Sequence, residues 1–128
     1  MEKEEITIPH ISLVWSEWVD WNDLEKDARI PGTIRVPNEQ PGVYEVKNKN
    51  SDERLTIGKA SNLRFRIKQG LVKGKSDHSS GDKIRQFENV AQLVVRWAIT
   101  DRPSAVEEEL HRKYEAQYGH LPKYVDHT

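Results

Sequence analysis

The chain has 128 residues, of which 35% are hydrophobic and 32% charged, with a net charge of −1, and this size suits one compact domain. Cysteine is absent, which excludes disulfides, thiolate metal sites and a cysteine nucleophile. No stretch approaches the ~18 consecutive apolar residues of a membrane span. The mostly acidic start, residues 1–5, does not resemble a secretion signal, so we expect a cytoplasmic protein without a membrane partner.

Charge is unevenly distributed along the chain. Residues 59–85 contain eight bases against two acids, a net charge of +6 that leaves −7 for the remainder. The bases are Lys59, Arg64, Arg66, Lys68, Lys73, Lys75, Lys83 and Arg85. This segment could give one face a positive potential, or its charges could be ordinary solvated groups. Charge alone favours neither interpretation.

The first forty residues differ in character from the rest. Trp15, Trp18 and Trp21 recur at helical spacing, so we predict a helix that Ser12 caps and Leu24 continues. A tryptophan stripe could stack on bases, but it more often docks on a core. A proline- and glycine-rich loop follows. We therefore predict an N-terminal helical extension, residues 1–40, and a main domain, residues 41–128.

The next elements are a hairpin and a helix. Residues 42–46 alternate and favour a strand, residues 48–52 form a polar turn, and residues 54–57 predict the returning strand. Ser61 or Asn62 could cap a helix whose apolar residues recur every four positions, namely Leu63, Ile67 and Leu71.

The remaining elements complete an α+β pattern. Residues 73–81 read as a polar loop, residues 84–87 as a short helix and residues 93–99 as a buried strand. A helix begins near residues 101–104 and ends at Gly119. The fold class predicted is α+β, with a small three-stranded antiparallel sheet flanked by helices.

Three motifs resemble the GIY-YIG nuclease superfamily, which includes homing endonucleases and the nuclease half of the bacterial excision-repair incision subunit. Gly-Val-Tyr stands at residues 42–44, and Thr-Ile-Gly at residues 56–58 is followed by Lys-Ala-Ser-Asn-Leu-Arg-Phe-Arg to Arg66. Glu107-x-x-Leu-x-x-x-Tyr114 is similar to the family's acidic helix. The resemblance spans about residues 42–124 and implies an endonuclease that hydrolyses DNA phosphodiester bonds with water as the nucleophile.

The resemblance also implies roles for individual residues. Tyr44 would be the general base, and Lys59 would lower its pKa or bind phosphate. Arg66 would grip the phosphate. Glu107 would hold Mg²⁺ or Mn²⁺, since Mg²⁺ often binds through one carboxylate and substrate oxygens. An ordinary strand tyrosine and a solvated helix arginine are the alternatives for Tyr44 and Arg66.

Glu107 has a specific alternative role. Ser104-x-x-Glu107 is also a capping-box pattern, in which the glutamate would bond to the helix end and do no chemistry. The neighbouring Glu108 and Glu109 are turned away from Glu107 by about 100° and about 200° around a helix.

Histidines give a weaker signal. His78, followed by two serines, matches a loop histidine of some homing-type members and could donate to phosphate or shuttle a proton, or it could be solvent-exposed. The remaining histidines show no metal-ligand spacing, and we expect no role for them: His10, His111, His120 and His127. The expected nucleic-acid contacts are Lys59, Arg64, Arg66, Lys68, Lys73 and Lys75.

Two positions depart from the family pattern and keep other functions open. Thr56 replaces the second signature tyrosine, and Val125 follows Tyr124 where the family has an asparagine. The alternatives to a nuclease are a catalytically weak nucleic-acid-binding module and a protein-interaction domain that uses the tryptophan-rich segment. We expect DNA as partner and no organic cofactor; a homodimer or a partner protein could add selectivity.

Overall fold

The computed structural model describes residues 12–26 and 35–125, and this part forms an antiparallel sheet with helices on both faces. The four strands of this part are β1 (Val19–Asp20), β2 (Gly42–Asn48), β3 (Arg54–Ala60) and β4 (Leu93–Ile99). Their order across the sheet is β1-β4-β2-β3. The helices are α1 (Trp21–Glu25), α2 (Phe65–Val72), α3 (Ser79–Phe87) and α4 (Pro103–Tyr118), with a short 3-10 turn at Val90–Gln92.

The α+β class and the β2–β3 hairpin are confirmed, but the predicted strand number of three is wrong. The fourth strand of the described chain is β1, whose two residues pair with Val94 and Val95 at the far side of β4. Its shortness explains why no alternating pattern revealed it. β2 is central and β3 forms the opposite edge.

The two sheet faces carry different packing, because successive side chains of a strand point to opposite sides. One face, the α2/α3 face, holds the main core, where Tyr44 and Trp97 pack with α1, α2 and α3. The other face, the α4 face, holds a smaller cluster of Val43, Ala98 and Val106. The structure thus has three layers, and β3 forms one edge of the middle layer.

The predicted N-terminal helix is largely wrong. Residues 12–18 have no regular secondary structure, and α1 is only five residues long. Ser16 explains this, because its backbone N–H donates to the Trp97 oxygen at 2.8 Å and its hydroxyl accepts from the Trp97 N–H at 3.0 Å. These bonds to β4 replace those of a helix. The proposed boundary at residue 40 remains a prediction.

The tryptophans nevertheless dock on the chain itself. Trp21 is 1% exposed and lies in the main core. Trp15 and Trp18 lie half-buried on the α4 face, where the Arg96 guanidinium sits 4.1 Å from the Trp15 ring centroid and 4.7 Å from that of Trp18. This packing favours the docking interpretation over base stacking.

Two helices differ from their predicted form. Leu63, just before α2, and Ile67 and Leu71 within it are buried as expected. The turns of α2 are wider than those of an α-helix, since the Lys73 N–H donates to the Lys68 oxygen, five residues back, at 3.0 Å. Such π-type turns often occur near functional sites. α3 begins at Ser79, so the last three residues of the predicted polar loop, 79–81, are helical.

The end of α4 follows the prediction. Gly119 takes a left-handed conformation with φ of 79° and its N–H bonds back to Glu115, so the helix stops there. Within the residues described, no helix is both long and apolar enough to cross a membrane.

Candidate active site

A polar cleft of about 840 Å³ opens at the β3 edge of the sheet. It is lined by side chains from both outer layers. From the α2/α3 face come Tyr44, Arg66 and His78, and from the α4 face come Lys59, Glu107 and His111. The edge strand is therefore the meeting point of the motifs that the sequence analysis singled out.

Gly58 explains how Tyr44 reaches this edge. Tyr44 lies on the central strand β2, directly across from Gly58 on β3. A Cβ atom at residue 58 would overlap the ring and hydroxyl of Tyr44. The missing side chain lets the ring cross β3 and bring its hydroxyl to the cleft, while the ring itself stays 2% exposed. A backbone position that another group crosses so closely accepts only glycine.

His78 is in the loop before α3, as predicted, but it is buried and binds the Tyr44 hydroxyl. It is 3% exposed, caps the start of α3, and its Nε2 lies 2.6 Å from the Tyr44 oxygen. The alternative of a solvent-exposed histidine is wrong, because both ring nitrogens make hydrogen bonds inside the protein. Its Nδ1 accepts a hydrogen bond from the Gly81 N–H at 2.9 Å.

These bonds fix which way the protons point. Burial lowers the pKa of His78 to about 4, with smaller contributions of the same sign from Arg66 and Arg85, so the ring is neutral at physiological pH. A neutral imidazole carries one N–H. Since Nδ1 accepts from Gly81, the hydrogen is on Nε2 and is donated to the Tyr44 oxygen. The Tyr44 oxygen therefore accepts this hydrogen bond and does not donate its own proton to His78.

The His78 environment predicts acid sensitivity. In the unfolded chain His78 titrates at its ordinary pKa of about 6.5, whereas in the fold it stays neutral down to about 4. The unfolded state therefore binds the extra proton first, and the free energy of unfolding should fall as pH drops from about 6.5 towards about 4.

Chemical denaturation across this pH range measures the effect. His78→Asn, whose short side chain can still cap α3, should show a smaller loss of stability over the same interval. His120→Asn, at an exposed histidine outside the cleft, serves as control. An equal pH dependence in all three proteins would contradict the assignment.

Tyr44 is a protonated phenol in this environment. Burial raises the pKa of Tyr44 to about 12, the Glu107 carboxylate also raises it, and the Arg66 guanidinium works in the opposite direction. The expectation that Lys59 lowers this pKa is not supported. Lys59 pairs with Val43 on the α4 face, and its ammonium donates to the Ser104 hydroxyl at 3.1 Å.

Glu107 faces the cleft from the first half of α4. The capping-box alternative is wrong, because the helix is capped at Arg102, without a side-chain cap bond, and Ser104 lies inside its first turn. Glu108 and Glu109 instead pair with Arg112, at 3.3 and 3.0 Å. Among residues 12–26 and 35–125, the Glu107 carboxylate has neither a hydrogen bond nor an ion pair.

The side chains that line the cleft can be tested for their fit to a metal ion. In the part of the chain that the structure describes, no group of three or more His, Asp or Glu side chains could hold a metal ion. A single unpaired carboxylate in an open polar cleft nevertheless fits Mg²⁺, which keeps several waters and often uses one carboxylate with substrate phosphate.

The basic residues divide between the cleft and other surfaces. Arg66 is half-buried, with one guanidinium nitrogen donating to the Asp77 oxygen at 2.8 Å, which holds the planar fork in the cleft. Arg64 donates to the Val36 oxygen at 2.9 Å and does not line the cleft. The lysines at residues 68, 73 and 75 also lie outside its lining, so their contacts with nucleic acid remain predictions.

Several residues of the cleft had no predicted role. His111 lies four residues after Glu107, a spacing that places two side chains on one helix face and could have revealed it. Ser80 and Thr56 also line the cleft, with their hydroxyls 3.3 Å apart, and Ser80 donates to the Tyr124 oxygen at 2.7 Å. Ser80 thus connects Thr56 on β3 to the backbone at Tyr124, and the Thr56 hydroxyl is engaged in a hydrogen bond with Ser80.

The fold and site define an α+β chain with a phenol, a guanidinium and a carboxylate around one sheet-edge cleft. Over 94 residues, 70% of its length, the sequence is 37% identical to UvrABC system protein C of Clostridium tetani (strain Massachusetts / E88). The chain spans only 14% of that protein. No family model matches the sequence, and no solved structure matches it.

Proposed function

We propose that this chain is a metal-dependent endonuclease of the GIY-YIG superfamily that hydrolyses DNA phosphodiester bonds with water as the nucleophile. One observation carries the proposal: Tyr44, Arg66 and Glu107, which come from three separate elements, line the same cleft. The partial similarity to UvrABC system protein C agrees with a nuclease that acts on DNA. The cytoplasmic location remains part of the proposal.

In this proposal Glu107 is the protein ligand of a divalent cation, Mg²⁺ or Mn²⁺. When bound, the cation would supply positive charge at the scissile phosphate and acidify a nearby water. Glu107 suits this role because its carboxylate faces the cleft without a protein partner in the described chain. With its charge compensated, Glu107 would also stop raising the pKa of Tyr44.

Arg66 binds the phosphate. Its guanidinium is anchored on the Asp77 carbonyl by one nitrogen, which leaves further N–H groups of the planar fork for two phosphate oxygens. Anchored donors are already oriented when charge develops on the phosphate, so they stabilise the transition state without reorganising. Lys59, on the opposite wall, adds positive charge nearby.

Tyr44 handles the proton of the attacking water. Its phenol is protonated at neutral pH, because burial holds its pKa at about 12, so it must first release its own proton to water in the cleft before the phenolate can accept a proton from the attacking water. Arg66 lowers that pKa, and the Nε2–H of His78 donates to the oxygen and would stabilise a phenolate. His78 thereby keeps the lone pairs and the proton of Tyr44 oriented, without itself contacting the phosphate.

A second candidate, nucleic-acid binding without cleavage, has one observation in its favour. The Thr56 hydroxyl donates to Ser80, so this position offers no free acid or base where the family has a tyrosine. The third candidate, interaction with a protein through the tryptophans, is disfavoured because Trp15 and Trp18 already pack against Arg96.

Nicking of supercoiled plasmid tests the proposal. The native protein should convert supercoiled to open-circular DNA in Mg²⁺ or Mn²⁺ and stop when EDTA is added. Glu107→Ala should lower the nicking rate by at least about 100-fold, because the cation loses its protein ligand.

Glu108→Ala is the matched control, since Glu108 is an exposed neighbour on the same helix that does not line the cleft. It should nick like the native protein. Equal nicking by Glu107→Ala would refute the assigned metal ligand. A salt-sensitive gel shift without any nicking would favour the binding module instead.

A further inference from the structure

His111 is a histidine of the cleft that the proposed reaction does not use. It lies four residues after Glu107 on α4, and both side chains line the same cleft. Residues four apart are neighbours on a helix surface, about 5–6 Å between their Cβ atoms. One cation could therefore contact both side chains without any change in the helix.

The hydrogen bond of His111 resembles that of a metal-binding histidine. Its Nε2 lies 2.7 Å from the backbone oxygen of Ile57, an acceptor only, so Nε2 carries the hydrogen and donates it. Histidines that bind metals almost always donate their other ring N–H to a carbonyl, carboxylate or water, which fixes the ring and its tautomer. In His111 this leaves Nδ1 as the nitrogen with a free lone pair.

From this geometry we infer that His111 Nδ1 is a second protein ligand for the cation on Glu107, and that it biases the site towards transition-metal ions over Mg²⁺. The inference rests on the proposed function, in which Glu107 holds a cation, and it specifies which metal ions the site prefers. Mg²⁺ prefers oxygen ligands, whereas imidazole nitrogen suits ions such as Co²⁺, Ni²⁺ and Zn²⁺. A site with one carboxylate and one imidazole should therefore discriminate between the two classes.

A purely structural role is the competing explanation. β3 is the edge strand, and its outward carbonyls have no neighbouring strand, so His111 could simply satisfy the Ile57 oxygen and hold α4 against the sheet. A structural histidine would affect stability without affecting metal selectivity. The two roles are therefore separable by measuring binding of two metals to the same variant.

Calorimetric titration of the full chain with cobalt(II) chloride and with magnesium chloride makes this measurement. We expect His111→Gln, whose amide can still donate to Ile57, to weaken Co²⁺ binding by about 10-fold or more while Mg²⁺ binding changes little. Glu107→Ala should weaken both. His120→Gln, at an exposed histidine outside the cleft, should weaken neither.

An unchanged ratio of Co²⁺ to Mg²⁺ affinity in His111→Gln would overturn the inference. If that variant does not fold, nitrogen NMR of the native protein decides. Addition of Zn²⁺ should shift the His111 Nδ1 signal in the manner of a coordinated nitrogen and leave Nε2 protonated, and an unshifted Nδ1 would refute the proposal.

Failure of the inference and failure of the proposed function are distinguishable. A protein that nicks DNA but binds Co²⁺ equally well without His111 keeps the nuclease and loses the second ligand. A protein that binds Co²⁺ through His111 but does not nick DNA keeps the metal site and loses the nuclease.

Discussion

Replacing Tyr44 with phenylalanine is expected to lower the plasmid nicking rate by about 10²- to 10⁴-fold, the usual contribution of a positioned acid–base group. The change removes one oxygen atom and leaves the ring that crosses Gly58 in place. It also removes the acceptor of the His78 N–H, so a stability loss of about 1 kcal/mol should accompany it. Initial nicking rates and thermal denaturation of the same preparation separate the two effects.

Tyr118→Phe is the matched control for this prediction. Its hydroxyl donates to the Asp52 oxygen at 3.4 Å, and the side chain does not line the cleft. The control should therefore nick at the native rate. A Tyr44→Phe protein that is folded and nicks as fast as the native one would remove the phenol from the mechanism.

Replacing Glu45 with alanine should cause the largest loss of stability, about 3 kcal/mol or more in the free energy of unfolding. Glu45 is 4% exposed on the α4 face, and its Oε1 accepts from Arg54 Nε at 3.0 Å and from Arg96 Nε at 2.8 Å. Both arginines also lie over the Trp18 ring. Without the carboxylate, both partly buried guanidinium groups lose the counter-ion that they share, which is costly.

Urea denaturation of Glu45→Ala measures this loss, with Glu53→Ala as the control. Glu53 is an exposed residue next to β3 whose contact is with His120 at 3.6 Å, so its removal should change stability by less than about 0.5 kcal/mol. A loss of that small size for Glu45 would show that the two arginines are adequately solvated without it.

Local sequence patterns were sufficient to predict the elements whose structure depends on neighbouring residues. The β2–β3 hairpin follows from alternation around a polar turn, and the end of α4 follows from Gly119, since glycine readily adopts the left-handed conformation found there. The buried stripe of Leu63, Ile67 and Leu71 was also visible from its spacing. Each of these signals lies within a few residues of the structure it specifies.

Elements whose structure depends on contacts with distant residues could not be predicted from local sequence patterns. Trp15 and Trp18 have helical spacing, but Ser16 bonds to Trp97, which is 81 residues away, and holds the segment in an irregular conformation beside β4. The pairing of β1 with β4 likewise joins residues that are far apart in the sequence. No pattern local to residues 12–20 could report these bonds, so tertiary contacts overrode the helical periodicity.

The candidate site also combines features that the sequence predicted with features that depend on the folded structure. Motif resemblance identified Tyr44, Arg66 and Glu107, all of which line the cleft, although their chemical roles remain proposals. The position of Lys59 opposite Val43 depends on the strand register, and the buried His78 depends on α3 starting at Ser79. The proton arrangement of Tyr44 and His78 follows only from the Gly81 N–H, a contact that no sequence motif encodes.

In the proposed function Glu107 holds a divalent cation opposite the Tyr44 phenol and the Arg66 guanidinium. Mn²⁺ broadens the NMR signals of nuclei close to it, so titrating the protein with small amounts of Mn²⁺ maps the cation directly. We expect selective broadening of the amide signals of Gly58, Arg66 and Glu107, and its loss in Glu107→Ala. Broadening that avoids these residues, or that persists in Glu107→Ala, would contradict the account.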